Sequence, residues 1–155
     1  RLLEVLPNAP QDQWGKIAER LIEADVRAPA CQEARAMLQK RDLAHIFAPE
    51  SLAEVNVTAH LPELNGDPIQ GSIDRLLVSP TRILAVDFKT NQIVPSEAEQ
   101  VPSGLLRQMG AYAAALSQIY PDHDIETAIL WTKTLELMPL PKDLVISSLA
   151  NTPLT

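Results

Sequence analysis

The fold is decided by the run Gly71-Ser72-Ile73-Asp74-Arg75, followed after a turn by Ile83-Leu84-Ala85-Val86-Asp87-Phe88-Lys89-Thr90. Charged side chains interrupt both runs, which otherwise have the composition of buried β-strands. Residues two apart in a strand point to the same side of a sheet. The side chains of Asp87 and Lys89 are therefore expected to project together.

A turn at Ser79-Pro80-Thr81-Arg82 is expected to join these two strands into a hairpin. If Val78 opposes Ile83 across the turn, Asp74 lies directly opposite Asp87, with their Cβ atoms about 4.5–5.5 Å apart. Like charges in this arrangement repel, and burying unpaired carboxylates is costly. The hairpin therefore requires a compensating positive charge.

Two sources of compensation are available for the carboxylate pair. Lys89 can neutralise one charge, and a divalent cation can bind between the carboxylates; oxygen ligands favour Mg²⁺ or Mn²⁺ over zinc. Two carboxylates, a cation and a lysine can together promote attack of water on a phosphodiester. The structural alternative is an Asp74–Lys89 ion pair at the strand ends, with Asp87 capping a turn.

Periodicity along the remaining chain predicts a mixed α/β sheet flanked by helices in one domain, residues 1–155. Helices are predicted over Arg1–Leu6, Pro10–Asp25, Pro29–Gln39, Leu43–Phe47, Ser103–Ile119 and Asp143–Ala150. Strands are predicted over Glu54–Leu61, Ile69–Val78, Arg82–Lys89, Ile125–Trp131 and Leu135–Leu140.

Three motifs in order, Gly71-Ser72-Ile73-Asp74, Asp87-Phe88-Lys89-Thr90 and Gln108-Met109-Gly110-Ala111-Tyr112, resemble the RecB-type branch of the PD-(D/E)XK nucleases. Within that branch, the chain is most similar to the C-terminal nuclease domain of AddA, a helicase–nuclease subunit of bacterial double-strand-break repair. The resemblance runs along nearly the whole chain. It implies a restriction-endonuclease-like fold and a Mg²⁺-dependent DNA exonuclease.

The resemblance also implies roles for individual residues. Asp74, Asp87 and the backbone carbonyl of Phe88 would bind the metal, and Lys89 would be the catalytic lysine. Three further side chains would support the site: Glu54 near its edge, and Gln108 and Tyr112 on the following helix, where they would steady the site or contact the DNA backbone.

The same resemblance implies the surroundings of the domain. It would be the C-terminal part of a longer helicase–nuclease chain, with DNA, the helicase domain and an AddB-like subunit as partners. A histidine is expected just before a segment such as Arg1-Leu2-Leu3-Glu4, and the sequence begins at Arg1; neither His45 nor His60 stands in a matching context. Weakened metal binding is therefore expected, and the alternative is a degenerate module that binds DNA ends or partner subunits without cutting.

The charge and amino-acid composition of the chain bear on which functions are compatible with these motifs. A formal net charge of −7 argues against a broad DNA-binding surface, although a helicase can deliver a strand to the site. Positive charge near the motifs is limited to Arg75, Arg82, Lys89 and Arg107, with Lys133 further along. A single cysteine and the absence of any membrane-spanning stretch or signal peptide predict a cytoplasmic protein. With five glycines and no phosphate-binding loop, a phosphodiesterase for RNA or small nucleotides ranks last.

Overall fold

The computed structural model describes residues 1–151, which form a five-stranded mixed sheet with helices on both faces. The helices are α1 (Leu2–Val5), α2 (Trp14–Leu21), α3 (Ala24–Gln39), α4 (Ser103–Ile119) and α5 (Lys142–Ala150). The strands are β1 (Leu52–His60), β2 (Pro68–Val78), β3 (Arg82–Lys89), β4 (Asp124–Trp131) and β5 (Glu136–Leu140). Short 3₁₀ helices cover Leu6–Asn8, Gln11–Gln13, Arg41–Phe47, Pro62–Leu64 and Ala98–Gln100.

The strands lie in the order β1-β2-β3-β4-β5, so each neighbours the next along the chain. β3 and β4 are parallel, and the other neighbours are antiparallel. The parallel pair needs a crossover, and α4 supplies it. The fold predicted from the sequence, a mixed sheet flanked by helices, is confirmed.

Two hydrophobic layers cover the sheet. On one face, β2, β3 and β4 pack against α4 and α5, around Met109, Leu116 and Val145. On the other face, Val86 and Leu130 pack against α3 and the 3₁₀ segment that contains Phe47. The sheet is therefore buried on both sides at its centre, which explains the continuous apolar runs of β3 and β4.

The helix boundaries near the N-terminus differ from those predicted. The expected helix Pro10–Asp25 begins with a 3₁₀ turn and ends at Leu21, where Ile22 becomes extended. The Arg27 guanidinium donates two hydrogen bonds of 3.2 Å to the Ile22 carbonyl. A helix-terminal carbonyl is thus satisfied at the break, and α3 begins at Ala24 with Pro29 inside it.

Crossing a bilayer requires a helix of about 20 predominantly apolar residues, and this bears on the helices of residues 1–151. None of them is long and apolar enough to cross a membrane.

Candidate active site

The site begins where β2 and β3 separate. Val78 opposes Ile83 as predicted, and the ladder continues to Arg75 opposite Val86. One position further along, a side chain replaces the backbone as the hydrogen-bond acceptor. The Asp74 Oδ2 accepts a 2.6 Å hydrogen bond from the Phe88 backbone N–H. The Asp74 carboxylate thus stands at the opening between the two strands.

Asp74 and Asp87 are in contact across this opening. Burial raises the pKa of Asp74 to about 6, the Phe88 N–H opposes the shift, and the Asp87 carboxylate adds to it through charge and a shared hydrogen bond. Asp87 is only 3% exposed. The repulsion expected from the sequence therefore contributes to the raised pKa of Asp74, and burial is the larger cause.

Lys89 is held against Asp87 rather than Asp74. Its Nζ lies 2.5 Å from Asp87 Oδ2, and the two side chains are 22% and 5% exposed. Nζ also donates a 3.4 Å hydrogen bond to Gln108 Oε1 on α4. The structural alternative, an Asp74–Lys89 pair with Asp87 as a turn cap, is therefore wrong, because Asp87 is the partner of Lys89.

Gln108 is oriented by Tyr112. The Tyr112 hydroxyl donates a 3.0 Å hydrogen bond to the Ser72 carbonyl, which can only accept. The same hydroxyl oxygen accepts a 3.0 Å bond from Gln108 Nε2, so Gln108 Oε1 is turned toward Lys89. A chain of contacts therefore runs from the Ser72 carbonyl on β2 through Tyr112 and Gln108 on α4 to Lys89 and then Asp87 on β3.

A cleft of about 330 Å³ opens beside Asp74, between the sheet and the N-terminal helices. The residues that line it include one from each of β1, β2 and β3 and one that directly follows β4: Glu54, Asp74, Phe88 and Thr132. Thr132 follows β4 directly, where its N–H donates to the Lys89 carbonyl at 3.0 Å, and its hydroxyl has no hydrogen-bond partner within residues 1–151.

The structure brings together six of the predicted site residues and places the seventh beside them. Glu54 lines the cleft next to Asp74, and the other six form the contacts given above. Sequence reasoning missed Thr132 and the acids Glu4 and Glu33, which also line the cleft. Motif spacing carries no signal for them, because tertiary packing of distant segments brings them there.

The sequence named Arg75 as positive charge near the motifs, but the structure buries its side chain. It is 1% exposed, and its guanidinium donates to the Leu3 carbonyl at 2.6 Å and to the Ser51 carbonyl at 3.4 Å. It lies 5.4 Å above the ring of Phe47, which in turn packs on Phe88 at 5.8 Å. Arg75 thus anchors α1 and the Phe88 segment to β2 and is unavailable to a ligand.

Arg82 is also removed from the site. It begins β3, seven residues before Lys89, and forms an exposed ion pair of 2.5 Å with Glu126 on β4. At about 3.3 Å per residue, its Cα is roughly 23 Å from that of Lys89. Of the other basic residues named from the sequence, Arg107 is half-buried and precedes Gln108 on α4, and Lys133 is exposed and follows Thr132. Arg1, which the sequence did not single out, lines the cleft.

The donor set fits a hydrated divalent cation of the magnesium class. Asp74 and Asp87 offer adjacent carboxylate oxygens, and burial together with the neighbouring Asp87 charge raises the pKa of Asp74 to about 6. Within residues 1–151, no group of three or more acidic, histidine or cysteine side chains could hold an ion. Mg²⁺ is commonly bound by one or two carboxylates, retained water and substrate phosphate, so two carboxylates suffice.

Comparison with known proteins gives a family match and a distant structural one. The family model described as "PD-(D/E)XK nuclease superfamily" matches residues 2–140. Among solved structures, the chain is similar to the crystal structure of SSO0001, with a TM-score of 0.40 and 10% identity over 80% of this chain and 65% of that one. No curated protein matches the chain.

Proposed function

The chain belongs to the PD-(D/E)XK nuclease superfamily, and from this premise we propose that it hydrolyses DNA phosphodiester bonds at Asp74, Asp87 and Lys89. The observation that carries the proposal is the carboxylate pair with an ammonium group fixed beside it at 2.5 Å. Mg²⁺ is the proposed cofactor, and Mn²⁺ is expected to replace it.

In this proposal each side chain has a defined role. Asp74, Asp87 and the Phe88 carbonyl would hold the ion, which when bound would lower the pKa of its water and stabilise charge on the phosphate. Lys89 Nζ orients the attacking water or stabilises the charge that develops in the transition state. Gln108 and Tyr112 fix Lys89 through the hydrogen bonds from α4 to β2.

The way in which DNA reaches the site follows from charge. The net charge is −7, Arg75 is buried, and Arg82 is paired with Glu126. A domain with this net charge, and with Arg75 and Arg82 engaged by other groups, gains little affinity from phosphate contacts. This supports an exonuclease that receives its strand from an attached helicase, as in the RecB-type enzymes and AddA that the motifs resemble.

The wider setting is part of the same proposal. The domain would be the nuclease part of a longer helicase–nuclease chain, acting with an AddB-like partner in cytoplasmic double-strand-break repair. The motifs quoted from the sequence support it, because all three occur in order along one chain.

The experiment that tests an exonuclease compares linear and covalently closed circular single-stranded DNA of one sequence, in Mg²⁺ and separately in Mn²⁺. We expect the protein to degrade the linear strand and spare the circle, and Asp87→Ala to leave both intact. Degradation of the circle, which has no free end, would show that the protein is an endonuclease and not an exonuclease. Tight binding of DNA ends with no cleavage of either substrate would support the degenerate binding module.

A further inference from the structure

Glu54 has a backbone conformation that side chains rarely adopt. Its φ is +47°, within strand β1, whereas the other positive-φ residues of 1–151 (Asn65, Gly66 and Leu135) lie in turns. L-residues are sterically disfavoured in this region. A turn or a chain reversal therefore explains the other three, but not Glu54.

The ladder around Glu54 offers no structural reason for this conformation. The flanking pairs are Ala53 with Arg75 and Val55 with Ile73, so no residue is inserted and Glu54 lies across from Asp74. The partner strand is irregular at the same place: Ile73 packs on the α4 side of the sheet, and Arg75 lies over Phe47 on the opposite side. Both strands thus leave regular geometry beside the proposed ion site.

The position of the Glu54 side chain adds to the backbone observation. It is exposed, lines the cleft together with Asp74, and forms no ion pair within the part of the chain that the structure describes. A strained backbone at an exposed acid that lines this cleft favours a functional explanation over a structural one.

We propose that the Glu54 carboxylate accepts hydrogen bonds from water molecules on the ion bound at Asp74 and Asp87. This inference rests on the proposed function. A direct bond from Glu54 to the ion does not fit, because no three such side chains of residues 1–151 converge closely enough to hold one. Mg²⁺ keeps several waters, and a carboxylate one strand away from Asp74 is positioned to orient them.

Two substitutions at Glu54 distinguish the effect of its strained backbone from the effect of its carboxylate charge. Glu54→Gly removes both the strain and the charge, and Glu54→Gln keeps the strain and removes the charge. In metal-free protein, we expect the Tm of Glu54→Gly to equal or exceed that of the wild type. In both variants, the Mg²⁺ concentration at half-maximal Tm shift should rise about tenfold or more, as for other partners that orient metal ligands indirectly.

Asn65→Gly is the matched control, because Asn65 is an exposed polar residue with a φ of +56° in the β1–β2 turn, outside the cleft. It should leave the Mg²⁺ dependence unchanged. A wild-type Mg²⁺ dependence in Glu54→Gly, or a clear loss of metal-free stability in it, would overturn the inference. If the wild type itself responds to neither Mg²⁺ nor Mn²⁺, the proposed function fails as well.

Discussion

Gly71 lies against the hydroxyl end of Tyr112, so close that a β-carbon at Gly71 would meet Tyr112 Cε1 at 2.6 Å and its hydroxyl oxygen at 2.9 Å. A glycine in β2 therefore allows an aromatic residue of α4 to reach the Ser72 carbonyl. The G-x-I-D motif thus supplies more than its aspartate, because its glycine makes room for the tyrosine of the third motif.

Substitution of Gly71 by alanine should displace Tyr112 and, through Gln108, Lys89. We expect a loss of about 1–3 kcal/mol in the free energy of unfolding from overpacking. Cleavage should fall about tenfold or more, since small displacements of catalytic groups are costly. Gly104→Ala, at a glycine of α4 with open space around it, is the control and should change neither unfolding nor cleavage by a comparable amount.

Tyr112→Phe should weaken catalysis while preserving the fold. The variant loses the donor to Ser72 and the acceptor for Gln108, which frees the Gln108 amide to turn away from Lys89. We expect about 1 kcal/mol of destabilisation and a reduced kcat with little change in KM. Tyr120→Phe, at the end of α4, provides the comparison; an equal kcat effect there would show that Tyr112 has no special role.

Asp74→Asn should stabilise the metal-free protein at neutral and alkaline pH. Burial raises the folded-state pKa of Asp74 from 3.8 to about 6, so the folded protein holds this proton more tightly than the unfolded chain. The resulting stability is present below about pH 4 and is lost as the pH rises through about 6. Denaturation in EDTA from pH 4 to pH 8 should show the advantage of Asp74→Asn growing with pH, and a constant difference would contradict this assignment.

Asp87 and Lys89 should be energetically coupled. Asp87 is nearly inaccessible, so removing Lys89 leaves a buried carboxylate without its cation. A double-mutant cycle with Asp87→Asn and Lys89→Met should give a coupling of about 1–3 kcal/mol in unfolding free energy. The exposed pair Arg82–Glu126 should give a smaller, more salt-sensitive coupling in the same cycle, because solvent screens it; a larger coupling there would be evidence against a buried site charge pair.

The hairpin was predictable because local signals determined it. A proline-containing turn and two apolar runs were enough to set Val78 opposite Ile83, and the bounds of β3 and α4 agree with the prediction. The opposition of Asp74 and Asp87 followed from this register. The hairpin register therefore brings the two acids together, although β2 departs from regular alternation at Asp74, where Ile73 and Arg75 face opposite sides of the sheet.

Other parts of the site depend on contacts between distant segments. Arg75 was expected to supply positive charge near the motifs, but it is buried, and Leu3 and Ser51, from segments far away in sequence, accept its hydrogen bonds. The break between α2 and α3 depends on the side chain of Arg27. Thr132 enters the cleft only because β4 lies parallel to β3. Periodicity describes one segment at a time and contains none of this information.

The most direct test of the account is release of label from end-labelled single-stranded DNA by wild-type protein, Asp74→Ala and Lys89→Met, measured in Mg²⁺, in Mn²⁺ and in EDTA. The account predicts release by the wild type with either ion, none in EDTA, and a loss of at least about a hundredfold in both folded variants. Undiminished release by Asp74→Ala at equal purity, or by the wild type in EDTA, would contradict it.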